Sequence, residues 1–332
     1  MAGALTPGRH LVLVGPTASG KSALALTLAR RRRQHGEQVE LISMDSMAVY
    51  RGMDIGTTTP DAHERTLVPH HLLDVVDPDQ EFSVAEFVRE VRGVLDDLEA
   101  RDASAILVGG TGLYVQAVVD DLDLPGRYPA VLAALDAELD TRALHARLVD
   151  LDPDAAARIE PDNRRRILRA LEVTLGAGRP FSSFGPGLDA YPPTPFVLTG
   201  VRVPRDVLAA RVERRLHEQL DAGFLDEVRT VRDRPGGMSR TASQALGYRE
   251  LAAHLDGECT LDEAVELAVT RTRQFGVRQL RWFGRDPRIR WFDHEGDPLA
   301  VLDQLDRHWA ERAAAPGAIP GADSPPGATT VE

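Results

Sequence analysis

The sequence predicts an α/β fold, a parallel sheet flanked by helices with a separate helical insertion, from three observations. Short apolar runs of strand length alternate with longer amphipathic stretches: Leu11-Val12-Leu13-Val14, Val39-Glu40-Leu41-Ile42-Ser43, Ala105-Ile106-Leu107-Val108 and Phe196-Val197-Leu198-Thr199-Gly200-Val201. Two of these runs feed directly into glycine-bearing turns, Gly15 to Ser22 and Gly109 to Tyr114. Between residues 125 and 185 the strand-like runs disappear and a richly charged helical pattern replaces them. Residues 1–124 and 186–312 are therefore expected to form the α/β core with C-terminal helices, 125–185 the insertion, and 313–332 a disordered tail rich in Ala, Pro, Gly and Ser.

The first turn, Gly15-Pro16-Thr17-Ala18-Ser19-Gly20-Lys21-Ser22, fits G-x-x-x-x-G-K-[ST] between a strand and an amphipathic segment (Ala23, Leu24, Leu26, Leu28), the context the motif needs. Backbone N–H groups and a helix N-terminus then surround one small volume suited to phosphate oxygens, so the core is expected to be P-loop NTPase-like. Gly15 and Gly20 permit backbone that a Cβ obstructs, Lys21 brings a mobile cation, and the Ser22 hydroxyl is placed to ligate Mg²⁺. Lys21 is the single lysine among 39 basic residues. A compact ammonium suits a diphosphate better than the planar arginine fork used everywhere else.

Along the chain, the second strand ends at Met44-Asp45-Ser46-Met47, and strand ends are where ligands bind in open α/β sheets. The irregular segment Tyr50-Arg51-Gly52-Met53-Asp54-Ile55-Gly56-Thr57 reads as a functional loop. His70 to Val76 reads as a short strand, and Ser83 with Glu86 forms a capping box for a helix to about Glu99. The strand Ala105 to Val108 runs into Gly109-Gly110-Thr111-Gly112-Leu113-Tyr114, which brings Thr111 toward the same sheet edge as the phosphate loop. An ATP-hydrolysing relative would end this strand in an acidic residue for Mg²⁺; glycines stand here, which argues against ATP hydrolysis. Pro125-Gly126, Asp152-Pro153, Pro161 and Gly178-Arg179-Pro180 punctuate the insertion. Pro204 opens another helix, carrying Arg211 and Arg215 four apart on one face, and from there to about Trp309 the pattern is mainly helical.

At 332 residues, 43% hydrophobic and 27% charged, the chain reads as a soluble globular protein, expected in the cytoplasm, with no signal-peptide pattern and no membrane partner. The lone Cys259 excludes an internal disulfide framework and a zinc site built on several thiolates. Nothing demands a dimer, and a monomer is expected. A net charge of −12 argues against nucleic acid on the whole surface, but arginines cluster from Arg158 to Arg179 and from Arg271 to Arg290. Solvated helix faces account for those clusters equally well on charge alone.

A diphosphate in the loop allows two reaction classes: phosphoryl transfer, as in a small-molecule kinase, or displacement of the whole diphosphate as a leaving group. Displacement needs a base for the incoming nucleophile, for which Asp45 is the best placed, and cations on the departing oxygens, which Lys21 can supply together with Arg211 and Arg215 unless those two pair with Glu213, Glu218 and their neighbours on the helix surface.

These segments, in order and spacing, together with Arg165-Arg166-Ile167-Leu168-Arg169-Ala170-Leu171-Glu172-Val173, Gly223-Phe224 followed by Glu227-Val228, Ala245-Leu246-Gly247-Tyr248-Arg249, and Thr272-Arg273-Gln274 with Arg278-Gln279, resemble the bacterial tRNA dimethylallyltransferases over about residues 10 to 310. The resemblance implies transfer of a dimethylallyl group from dimethylallyl diphosphate to the exocyclic amine of the adenosine just 3′ of the anticodon, in tRNAs reading U-initial codons. It implies Asp45 as partner and base for that amine, Thr111 beside the reacting centre, and the Gly15 to Ser22 loop on the diphosphate with Mg²⁺. It implies tRNA anticodon stem-loop contacts from Asp45, Ser46, Met47, Ala48 and Thr111, from Leu132, Arg165, Arg166 and Arg169 in the insertion, and from Gln244, Gly247, Tyr248, Arg249, Arg273, Gln274 and Arg278. The target adenosine must leave its stack to react.

Three positions depart from the family pattern: Ala48 where a glutamine is frequent, Leu132 where an arginine is usual, and Val277 where a lysine stands. The alternatives are a P-loop kinase of a small metabolite, a prenyl transferase acting on free adenine nucleotide, and a nucleotide-binding RNA module without chemistry.

Overall fold

A computed structural model describes residues 4–185 and 187–315. In chain order the elements are β1 (Leu11–Val14), α1 (Lys21–Gln34), β2 (Val39–Ser43), α2 (Ala62–Leu67), β3 (His70–His71), α3 (Val84–Ala100), β4 (Ser104–Gly109), α4 (Gly112–Val119), α5 (Pro129–Asp136), α6 (Thr141–Leu151), α7 (Pro153–Ala156), α8 (Arg164–Ala177), β5 (Val197–Arg202), α9 (Arg205–Asp221), α10 (Phe224–Arg232), α11 (Tyr248–Leu255), α12 (Leu261–Phe283), β6 (Arg290–Asp293) and α13 (Leu302–Ala314). The chain divides into two compact units, one of residues 1–119 and 193–332, the other of 120–192, wider at both ends than the segment composition marks out.

The first unit is built on a six-stranded sheet of order β3-β2-β4-β1-β5-β6, every pairing parallel. The central strands are apolar throughout because both faces are covered. Leu11 and Leu13 point into one core with Leu24 and Leu28 of α1 and Trp309 of α13, while Val12 and Val14 point into the other with Phe87 and Val91 of α3. Each such fully buried leucine contributes about 1.5–3 kcal/mol over its exposed state. In the β1–β4 register Val14 pairs with Gly109, so the two glycine turns leave the sheet side by side. Asp45 follows β2, the next strand across.

One sequence expectation is corrected. The strand expected over His70 to Val76 stops at His71, because Leu72 (φ 63°) and Asp74 (φ 54°) take left-handed backbone that no strand continues; a single bridge from Tyr50 to Val76 resumes the pairing. The region after Pro204 is mainly helical, as its pattern predicts, and β6 adds one short edge strand beside β5 that the pattern does not mark. Its sequence, Arg-Trp-Phe-Asp, buries only Phe292 and so lacks the apolar run that marks the inner strands. The Ser83–Glu86 capping box is present and α3 follows it to Ala100. Of the tail expected over 313–332, Ala313 and Ala314 close α13 and residues 316–332 lie outside the described residues.

The second unit packs α5, α6 and α8 around Leu135, Leu144, Leu148, Ile167 and Leu171, with Leu132 packed against this cluster. Arg169 donates to the carbonyls of Pro125 (2.7 Å) and Gly126 (3.0 Å) and pairs with Glu172 at 3.0 Å. Glu172, buried, also accepts the Tyr128 N–H at 2.6 Å.

Candidate active site

The phosphate loop is shaped by its own sequence and by what presses on it. Gly20 sits at φ 84°, and Pro298 fills the space where its Cβ would stand, so both backbone and neighbour require glycine there. No side chain caps α1, so its first-turn N–H groups stay open beside the loop. Lys21, half-buried, donates from Nζ to the Pro16 carbonyl at 3.2 Å. Burial lowers its pKa to about 8; the Asp45 carboxylate works against that shift and the Arg215 guanidinium adds to it. Arg215 is likewise pushed below its ordinary value by burial, again opposed by Asp45. Lys21, Asp45 and Arg215 therefore share one field at the sheet edge.

Because the amine carries its charge below about 8, the ligand-free protein loses this cation as the pH rises through that value. Affinity for inorganic diphosphate, measured by calorimetry on either side of it, is expected to fall with rising pH more steeply in the wild type than in Lys21→Ala, which has no amine to titrate.

Asp45 Oδ1 accepts the Met47 N–H at 2.8 Å, which fixes the carboxylate and leaves Oδ2 for another partner. Thr111 lies at the start of α4, where its carbonyl accepts from Tyr114 and Val115. Its hydroxyl accepts the Ser46 N–H at 3.2 Å and lies 3.4 Å from the Ser46 hydroxyl. The end of β2 and the turn after β4 are thus tied together with Asp45 and Thr111 beside the tie.

Arg211 is placed differently from a free diphosphate clamp. It donates to the Ala18 carbonyl at 3.2 Å and to the Gly296 carbonyl, tying the loop to the segment after β6. His294, buried, reaches the Ser19 carbonyl at 2.9 Å from the same segment. Arg215 instead reaches the Thr57 carbonyl at 3.4 Å.

Glu227 and Gln219 organise the Tyr50 to Thr57 loop. The Glu227 carboxylate accepts N–H groups of Asp54 (2.9 Å), Ile55 (2.7 Å) and Gly56 (3.1 Å) and the Tyr248 hydroxyl, whose pKa is raised by burial and by that carboxylate. Gln219 donates to Ile55 and Gly56 carbonyls at 2.7 and 3.0 Å.

The residues expected to face RNA divide into two groups. Gln244, Arg249, Gln274 and Arg278 are exposed in the first unit, Arg165 and Arg166 in the second. Ala48, Gly247 and Tyr248 are buried, and Ser46 and Met47 half-buried. Arg273 pairs with Glu213 at 2.7 Å, tying α12 to α9. In the basic run from Arg271 to Arg290, Arg271 is bound to buried Glu250 and Arg288 to Asp286, so the charge open to solvent gathers on Arg278, Arg281, Arg285 and Arg290. Sequence reading alone gives no role to Gln279, whose amide Oε1 accepts the Thr17 N–H at 2.8 Å.

Among the described residues no cluster of three or more His, Cys, Asp and Glu could hold a metal ion by itself. A hard cation bound together with a diphosphate takes most of its oxygens from phosphate and water. Ser22, exposed in the first turn of α1, offers the one hydroxyl such an ion needs.

Fold and site together define a P-loop NTPase-like α/β protein whose loop lysine shares a field with the carboxylate after β2, and whose neighbouring strand β4 ends in glycines and a threonine where an acid would stand. The chain belongs to the IPP transferase family, whose model matches residues 48–286. It is 47% identical over 303 residues to the tRNA dimethylallyltransferase of Thermobifida fusca, covering 90% of this chain and 93% of that one. Its fold matches the tRNA isopentenylpyrophosphate transferase of Bacillus halodurans with TM-score 0.69 at 36% identity, covering 93% and 98% of the two chains. It also matches a eukaryotic dimethylallyltransferase acting on tRNA, with TM-score 0.69 at 25% identity over 92% of this chain and 78% of the other.

Proposed function

We propose that this chain transfers a dimethylallyl group from dimethylallyl diphosphate to N6 of the adenosine 3′-adjacent to the anticodon in tRNA, releasing diphosphate. The observation that carries the reading is the meeting, at one end of the sheet, of a glycine-bearing loop at a helix N-terminus, its cation Lys21, and a fixed carboxylate, Asp45, whose Oδ2 is unengaged by the Met47 N–H. The bond from the allylic carbon to the diphosphate oxygen breaks as the N6–carbon bond forms, the electron pair leaves on diphosphate, and the N6 proton passes to Asp45 Oδ2. An amine conjugated to a purine is a poor nucleophile, so holding it and removing its proton as the bond forms supply much of the rate. Lys21, Arg215 and the open N–H groups of α1 stabilise charge building on the leaving group. Thr111, on the tie to Ser46, orients the acceptor. Magnesium held at Ser22 would add charge neutralisation to the diphosphate. The protein works as a monomer in the cytoplasm on this reading, and it contains no helix long and apolar enough to cross a membrane among the described residues.

The exposed arginines of α8 would grip the anticodon stem-loop. Arg165→Ala with Arg166→Ala is expected to weaken tRNA binding and to lower the salt slope by about 2, roughly one for each phosphate no longer neutralised, with little change in melting temperature. Arg169→Ala should instead lower the melting temperature, because it leaves the buried Glu172 carboxylate short of a partner at a cost of about 1–3 kcal/mol. Binding titrations across salt and thermal melts on both variants separate the two roles.

Labelled dimethylallyl diphosphate with Mg²⁺ and either unmodified tRNA or AMP tests the reaction. Label in tRNA supports the proposal; label in AMP alone would make the chain a free-nucleotide prenyl transferase, and label in neither would remove the reading.

A further inference from the structure

Helix α12 lies behind both glycine turns, and one residue on it joins them. Gly276 faces Pro16 and Thr17, and two turns later Trp282 packs on Gly112. Between them Gln279, 6% exposed, accepts the Thr17 N–H on Oε1 at 2.8 Å and donates from Nε2 to the Gly110 carbonyl at 2.8 Å. A Cβ on Gly110 would collide with that Nε2 and lie 3.2 Å from the Gly15 carbonyl, so the two turns touch where the amide spans them.

We propose that Gln279 is a positioning residue: its amide fixes the phosphate loop, which holds the leaving group, against the turn that carries Thr111. The amide head supplies one acceptor and one donor to two backbone groups of opposite polarity, a pairing that neither a carboxylate nor an apolar side chain reproduces. It also takes the Thr17 N–H out of phosphate binding, which leaves the loop's remaining N–H groups and Lys21 to define where a diphosphate sits. With the bridge gone, the loop and the Thr111 turn are set only by packing, and a misplacement near 1 Å between reacting groups costs up to about 10²-fold in rate. The rate consequence rests on the prenyl-transfer reading; the consequence for diphosphate binding rests on the loop alone.

The test compares wild type with Gln279→Met, which removes both bonds at similar length, and Gln279→Glu, which keeps the Thr17 bond and removes the Gly110 one. Thermal melts fix the folded fraction, calorimetry gives affinity for inorganic diphosphate with Mg²⁺, and transfer assays give kcat, donor KM and tRNA affinity. Per folded molecule, both variants should bind diphosphate several-fold more weakly and show kcat lower by roughly 10–100-fold, with tRNA affinity unchanged. Wild-type kcat and diphosphate affinity in either folded variant would overturn the proposal, as would deficits that vanish once rates are expressed per folded molecule. If Gln279→Met does not fold, Gln279→Glu alone decides. A wild type that binds diphosphate with this dependence but prenylates no RNA would remove the proposed reaction and leave the bridge standing.

Discussion

Asp45→Asn should slow transfer by roughly 10²–10⁴-fold, the usual contribution of a positioned acid or base, while tRNA affinity stays close to wild type. The amide keeps an oxygen for the Met47 N–H, so the end of β2 retains its shape, and the Ser46–Thr111 tie is untouched. The variant lacks only a group able to take the N6 proton. Single-turnover rates at saturating donor, with tRNA binding measured separately, isolate that deficit. A wild-type rate in the Asn variant would show that the proton leaves by another route.

Lys21→Ala is expected to lower kcat/KM for the donor by about 10²–10³-fold, comparable to deleting one oxyanion donor. The amine is half-buried beside Asp45 and Arg215, and burial lowers its pKa to about 8, so its attraction for departing oxygens is screened less than in bulk water. Removing it leaves Arg215, itself partly buried and engaged with the Thr57 carbonyl, as the nearest cation in the field. Lys21→Arg should not restore the rate, because a planar fork on the same stem cannot take the place of a compact ammonium. Full activity in either variant would contradict a diphosphate seated on the loop.

The parts of this fold that can be read from the sequence are those in which local chemistry decides the outcome. A central parallel strand must be apolar on both faces, so Leu11 to Val14 announces itself, and a turn at φ 84° against Pro298 must hold glycine. Capping boxes are read the same way, from Ser83 and Glu86 within one turn. Edge strands are not: β6 buries one side chain in four, and β3 is cut short by left-handed backbone at Leu72 and Asp74, of which the leucine, first in the chain, gives no sign of it. Within the site, Lys21, Asp45 and Thr111 lie on segments whose motifs name them. Gln279 meets Thr17 across 262 residues and Glu227 meets Ile55 across 172, separations at which no periodicity operates. Charge counting misleads for the same reason, since Arg271 and Arg273 gain partners in Glu250 and Glu213 only once α11, α9 and α12 have packed.

The most direct measurement uses an anticodon stem-loop in two forms, one with adenosine 3′-adjacent to the anticodon and one with purine riboside there, which lacks the exocyclic amine. Each is incubated with labelled dimethylallyl diphosphate and Mg²⁺, digested to nucleosides and analysed by mass spectrometry. A dimethylallyl group on N6 in the first stem-loop and none in the second is the predicted result; equal labelling of both, or a phosphoryl group in place of the prenyl group when ATP is added, would contradict the account.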